Sequence, residues 1–262
     1  MPEISNTLVE KAISVGPLGD EREIATITRP ATSADEKAAL VWLGGYRSDM
    51  SGTKAIEMDL LAAEHGLQAI RFDYSGHGIS GGEFRLGTIS RWTEEALAVI
   101  SASAAKRVIL IGSSMGGWIA LRVIQEARRL GLSFNVAGLV LIAPAPDFTI
   151  DLIEPHLSEA EKQSLAERGY FEEPSEYSPE PNIFTRALIE DGRLNRVLTG
   201  MIETGCPVQG MKDPDVPYKH ALKLMEFLPA DDVVLTLVRD GDHRLSRPED
   251  IARMKAAIAA MI

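Results

Sequence analysis

A single cysteine, Cys206, stands in 262 residues, so the chain has no intramolecular disulfide to draw on. It precedes Pro207 at the head of an apolar run and reads as a small buried residue rather than a reactive thiol. Positive charge is also scarce: 27 Lys and Arg face 38 Asp and Glu, a formal net charge of −11. That balance argues against a nucleic-acid partner, which calls for a basic face, and against anionic lipid surfaces. No run approaches the roughly 18 apolar residues of a membrane span. Met1-Pro2-Glu3-Ile4-Ser5 has neither the basic nor the apolar region of a signal peptide, so the cytoplasm is the expected compartment. H-E-x-x-H and Cys–His clusters are missing, which leaves no metal implied. Gly45 to Lys54 lacks P-loop spacing and no G-x-G-x-x-G follows the first buried strand, so no cofactor is expected either.

What is present is an alternation of short apolar runs and helical stripes. Thr7 to Ser14 and Arg22 to Arg29 read as a hairpin about Gly16-Pro17-Leu18-Gly19-Asp20. Buried strands are expected at Ala39–Leu43, Gln68–Phe72, Val108–Ile111, Gly138–Ile142, Pro207–Met211 and Val233–Val238. Helices are expected over Thr53–Glu64 (stripe Ile56, Leu60, Leu61), Thr88–Ser103, Trp118–Leu130, Lys219–Phe227 and from Pro248. Continuous apolar strands separated by amphipathic helices predict an α/β fold with a mainly parallel sheet covered on both faces. From Pro144 to Thr204 the rhythm breaks. No convincing strand is evident there, only helical pieces (Glu159–Arg168, Ile183–Ile189, Asn195–Met201) with Pro174, Pro179 and Pro181 between them. Residues 1–143 and 205–262 therefore read as the core, and 144–204 as a helical lid at the carboxyl edge of the sheet.

Gly112-Ser113-Ser114-Met115-Gly116 follows one buried strand and opens one helix. In that context G-x-S-x-G predicts a nucleophile elbow, a sharp strand-to-helix turn that presents Ser114 near a helix N-terminus. The pattern recurs at Gly78-Ile79-Ser80-Gly81-Gly82, where no strand leads in and no stripe follows, so that copy reads as a glycine-rich loop.

A serine hydroxyl needs a base and a group to orient it. Of five histidines, His65 is explained by a helix end, His77 could line a pocket, His156 lies in the insertion, and His220 opens a helix and is expected to face solvent. His243 follows Val233–Val238 by a short turn, at the sheet edge where sites in open α/β sheets form, and is the candidate base. The acid should follow a strand between serine and base: Asp213 is the first choice and Asp215 the second. Asp240 and Asp242 lie too close to His243 in sequence. The backbone N–H of Met115, and that of Tyr46 in the loop after Ala39–Leu43, are the candidate oxyanion donors.

These residues together resemble the α/β-hydrolase superfamily, and within it the branch of palmitoyl-protein thioesterases and acyl-glucuronide esterases. The likeness is carried by Gly45 to Ala55, Arg71-Phe72-Asp73-Tyr74-Ser75-Gly76, the elbow extended to Gly117-Trp118, Gly210-Met211-Lys212-Asp213 and Asp242-His243-Arg244. It runs from about Ala38 to the C-terminus and is weakest in the insertion. The resemblance implies an ester or thioester hydrolase with Ser114, Asp213 and His243 as its triad, acting on a small molecule or an S-acylated protein. A ligand-binding protein on the same scaffold, a peptidase and a perhydrolase are the alternative readings.

Overall fold

The computed structural model describes residues 8–32, 37–175, 179–199, 206–228 and 233–262, with the backbone alone at 206 and 207. The expectation for the Cys206 side chain thus lies outside the described residues. The chain begins with β1 (Val9–Val15) and β2 (Arg22–Arg29), an antiparallel hairpin registered Val9 to Thr28 and Val15 to Arg22. Then come β3 (Ala39–Leu43), α1 (Thr53–Glu64), β4 (Ala69–Phe72), α2 (Ile89–Ala102), β5 (Arg107–Ser113), α3 (Met115–Leu130) and β6 (Asn135–Ile142). The eight-stranded sheet is ordered β1-β2-β4-β3-β5-β6 and is completed by β9 (Cys206–Gly210) and β10 (Thr236–Val238). β2 pairs antiparallel with β4, and every pairing from β4 through to β10 is parallel. Helices α6 (Tyr218–Phe227) and α7 (Pro248–Ala259) close the series.

Alternation along the buried strands divides the core in two. Val41, Leu43, Leu110 and Leu141 join Trp92 of α2 and Trp118 of α3 on one face. Leu40, Trp42, Ile109 and Ile111 join Met58 of α1 and Met254 of α7 on the other. Each such side chain removed from water stabilises the fold by about 1.5–3 kcal/mol. The chain order reverses direction between β3 and β5, which are hydrogen-bonded neighbours. A crevice therefore opens beyond their carboxyl ends.

Three expectations are corrected. The stripe assigned to α1 holds at Leu61 but not at Ile56 and Leu60, which are exposed; Ala55, Met58, Asp59 and Ala62 join Leu61 on the inward face. Asp59 turns in because the Arg29 guanidinium, itself buried, donates to both of its oxygens at 2.6 and 3.2 Å. The insertion also contains strands. After α4 (Glu159–Arg168), β7 (Tyr170–Glu173) pairs antiparallel with β8 (Asn182–Thr185), setting Phe171 opposite Phe184. Helix α5 then spans Arg186–Leu194, capped by the Thr185 hydroxyl, three residues later than its expected start. Finally, residues 195–199 are not helical. The rest of the Asn195–Met201 expectation lies outside the described residues. No described helix is long and apolar enough to cross a membrane.

Candidate active site

Ser114 sits between β5 and α3 with φ 54° and ψ −119°, a conformation most L-residues avoid. It is held there by its own backbone. Its N–H donates to Ile142 O at 2.9 Å, and its carbonyl accepts from Gly117 at 2.9 Å and Ala145 at 3.1 Å. The flanking glycines are a matter of space. A Cβ on Gly112 would lie 2.5 Å from Gly116 O, and one on Gly116 would lie 2.0 Å from Leu43 O. The second G-x-S-x-G does different work. Ser80 Oγ accepts from Ala25 N–H at 2.8 Å and donates to Asp73 O at 2.6 Å, tying its loop to β2.

His243 reaches the serine from the loop after β10. Its Nε2 lies 3.0 Å from Ser114 Oγ, and its Nδ1 lies 2.7 Å from Asp213 Oδ2. Asp213 is buried and fully engaged: Gln209 Nε2 donates to Oδ2 at 3.0 Å, and the N–H groups of Asp215 and Val216 donate to Oδ1 at 2.9 and 2.8 Å. Asp215 thus supports Asp213 through its amide and also borders the cavity. The two loops are joined as well. Met211 N–H donates to Val238 O at 2.8 Å and Lys212 N–H to Gly241 O at 2.9 Å. Asp242 accepts locally from Leu245 N–H at 2.9 Å.

The Gly44-Gly45-Tyr46 loop leaves β3 directly against the elbow. A Cβ on Gly45 would stand 3.3 Å from Ser114 Cβ. Asp73, after β4, fixes the far end of this loop: it accepts from Met50 N–H at 2.7 Å and from Ile79 N–H at 3.0 Å. Tyr46 and Met115 border one cavity of about 730 Å³ together with Ser114 and His243. One wall of it is apolar (Phe148, Leu152, Ile153, Phe184), and another carries Arg47, Lys54 and Arg244. Partial burial, with Arg244 beside it, lowers Lys54 to about 8, and its ammonium donates to Arg244 O. Burial raises the Tyr46 phenol, which stays protonated.

Residues 40–261 match the sequence pattern of the alpha/beta hydrolase family. The chain belongs to that family. It is 30% identical over 227 residues to "Palmitoyl-protein thioesterase ABHD10, mitochondrial" from Mus musculus, covering 85% of this chain and 74% of that one. A crystal structure from Agrobacterium vitis S4 is 66% identical with a TM-score of 0.96, covering 98% of this chain and 99% of the other. "Alpha/beta hydrolase domain-containing protein 10 from mouse" is 25% identical with a TM-score of 0.80, over 95% and 97% of the two chains.

The other histidines of this α/β-hydrolase differ from expectation in two cases. His220 is buried, and its Nε2–H donates to Pro146 O at 2.6 Å, so it ties α6 to the root of the insertion instead of facing solvent. His77 does not line the cavity. It packs among Tyr74, Phe84 and Trp92, and burial lowers it to about 4. His156 does border the cavity. Asp213, Asp215 and His243 bring carboxylate and imidazole atoms within 4.8 Å of one another, close enough for a cation. Asp213 and His243 already spend those atoms on the hydrogen bonds above, an arrangement suited to proton transfer. Sequence reasoning missed Gln209, whose amide also donates to Val216 O at 3.1 Å. A lone polar side chain in an otherwise apolar strand was the available signal.

Proposed function

We propose that this α/β-hydrolase is a cofactor-independent serine hydrolase that cleaves carboxylic esters or thioesters through an acyl-enzyme. The observation that carries the reading is the Ser114 Oγ–His243 Nε2–Asp213 relay, with distances of 3.0 and 2.7 Å, opening on a cavity. His243 takes the Ser114 proton as Oγ attacks the acyl carbon, and Asp213 holds the imidazole so that Nε2 is the accepting nitrogen. The Met115 and Tyr46 amides face the carbonyl oxygen as it becomes an oxyanion. Collapse of the intermediate breaks the bond to the leaving alcohol or thiol, which receives the proton from Nε2. Water then attacks the acyl carbon and gives its proton to His243, and collapse breaks the bond to Ser114 Oγ, which takes the proton back from Nε2 as the carboxylic acid is freed. The apolar wall suits the acyl chain, and residues 144–204 act as a lid over it. The thioesterase name of the ABHD10 relative favours an S-acylated protein or small thioester as substrate.

Ser114→Ala is expected to lower turnover of p-nitrophenyl acetate by about 10⁴-fold or more while leaving the melting temperature near that of the wild type. Retention of wild-type rates by a folded Ser114→Ala protein contradicts the assignment. A panel of acyl-CoA, S-acyl peptides and acyl glucuronides then ranks the leaving groups.

A further inference from the structure

The loop that supplies the Tyr46 amide also grips the insertion with its side chains. The Tyr46 ring stacks on Phe184 of β8, with centroids 5.4 Å apart and planes within 8°. Its hydroxyl donates to the Ile183 carbonyl. The next residue, Arg47, donates through Nη1 to Pro181 O at 2.7 Å and pairs through Nη2 with Glu180. Arg47 does so from a left-handed backbone, φ 57°, so the loop is bent to aim consecutive side chains at one target. The remaining sides of the Tyr46 ring are filled by Phe84, Trp92 and Phe148, with centroids 4.9 to 6.0 Å away. Phe148 and Phe184 are also walls of the cavity. The ring is thereby wedged between Phe148 and the hairpin, one residue on from Gly45, where a Cβ would stand 3.3 Å from Ser114 Cβ.

We infer that Tyr46 and Arg47 are positioning residues that couple the β7–β8 hairpin to the oxyanion site. The Tyr46 amide is held in line when the hairpin is seated, and displacing the hairpin draws the loop out of line. This rests on the hydrolase reading above. Packed side chains transmit such a shift because the ring has no slack: its hydroxyl and both flanks are occupied. An acyl chain lying between Phe148 and Phe184 would press on the same ring, so filling the cavity and seating the amide become one event. Tyr46→Phe removes the hydroxyl alone, and Arg47→Ala removes the second grip together with the guanidinium over Phe84.

The experiment is steady-state kinetics on p-nitrophenyl acetate for the wild type, Tyr46→Phe, Arg47→Ala and the double variant. It is paired with hydrogen exchange across Asn182–Thr185 before and after phosphonylation of Ser114. Each single variant is expected to lose about tenfold in kcat with KM within about twofold, short of the 10²–10³ of deleting an oxyanion donor. The double variant is expected to fall by less than the product of the two losses, because both act through one hairpin. Phosphonylation is expected to slow exchange in the hairpin of the wild type and not in Tyr46→Phe. Unchanged kcat in both single variants, or equal protection in Tyr46→Phe and wild type, overturns the coupling while an active, labelled wild type keeps the hydrolase reading. A wild type that neither turns over the ester nor takes the label overturns both.

Discussion

His77 packs against Phe84, seven residues on, and Trp92, fifteen residues on, and is only 3% exposed. Burial is the first cause that lowers it from 6.5 to about 4, against a carbonyl of Ser75 3.2 Å from Nδ1 that pulls the other way. Between those two values the unfolded chain binds more protons than the folded one. The stability contributed by neutral burial is therefore complete above about pH 6.5 and is lost as the pH falls toward 4. At 1.36 kcal/mol per unit, the wild type should lose roughly 2–3 kcal/mol more than His77→Phe on going from pH 7 to pH 4.5. Urea unfolding of both proteins at the two pH values measures this. A difference between them that does not move with pH contradicts it. The residue type was visible in the sequence, but its environment was not, since Phe84 and Trp92 reach it only through the tertiary fold. Ser114, Asp213 and His243 were legible for the opposite reason: each comes shortly after a largely apolar run that forms a strand, and strand ends in a parallel sheet share one edge. Gln209 and Tyr46 act through side-chain contacts that no spacing encodes.

At the scale of elements, the roots of the insertion are joined by one carboxylate. Asp147, wholly buried with φ 55°, accepts from Val197 N–H at 2.8 Å and Leu198 N–H at 3.0 Å. The chain that leaves β6 and the chain that leaves α5 are thus sewn together below the cavity, with His220 gripping Pro146 beside them. Asp147→Ala strands two buried amides, each costing about 1–3 kcal/mol, and should lower the melting temperature by on the order of 5–10 °C. Calorimetry decides it, and a shift of less than about 1 °C contradicts the role. The inner strands β3, β5 and the second half of β6 were readable because burial on both faces makes them apolar, as Val108-Ile109-Leu110-Ile111 is. The β7–β8 hairpin was not, because four-residue strands such as Tyr170-Phe171-Glu172-Glu173 carry too few alternations to separate from a helix turn. The phase of α1 was lost to a polar residue, Asp59, that faces inward to meet Arg29.

For the whole molecule, the acidic excess is not carried into the site. A chain of formal charge −11 lines one cavity with Arg47, Lys54 and Arg244 against Asp49, Glu173 and Asp215. The sheet's change of direction at β3 and β5 explains why these residues converge there: the Gly44-Gly45-Tyr46 loop and the elbow leave adjacent strands, and β9 and β10 deliver Asp213 and His243 to the same edge. Everything proposed for this enzyme depends on Ser114 forming a covalent bond. The direct measurement is peptide mapping by mass spectrometry after brief reaction with a fluorophosphonate, with ester turnover followed in parallel. The adduct is expected on the peptide containing Ser114, rising in step with the loss of turnover. An adduct on Ser80 instead, or undiminished hydrolysis once Ser114 is fully modified, would contradict it.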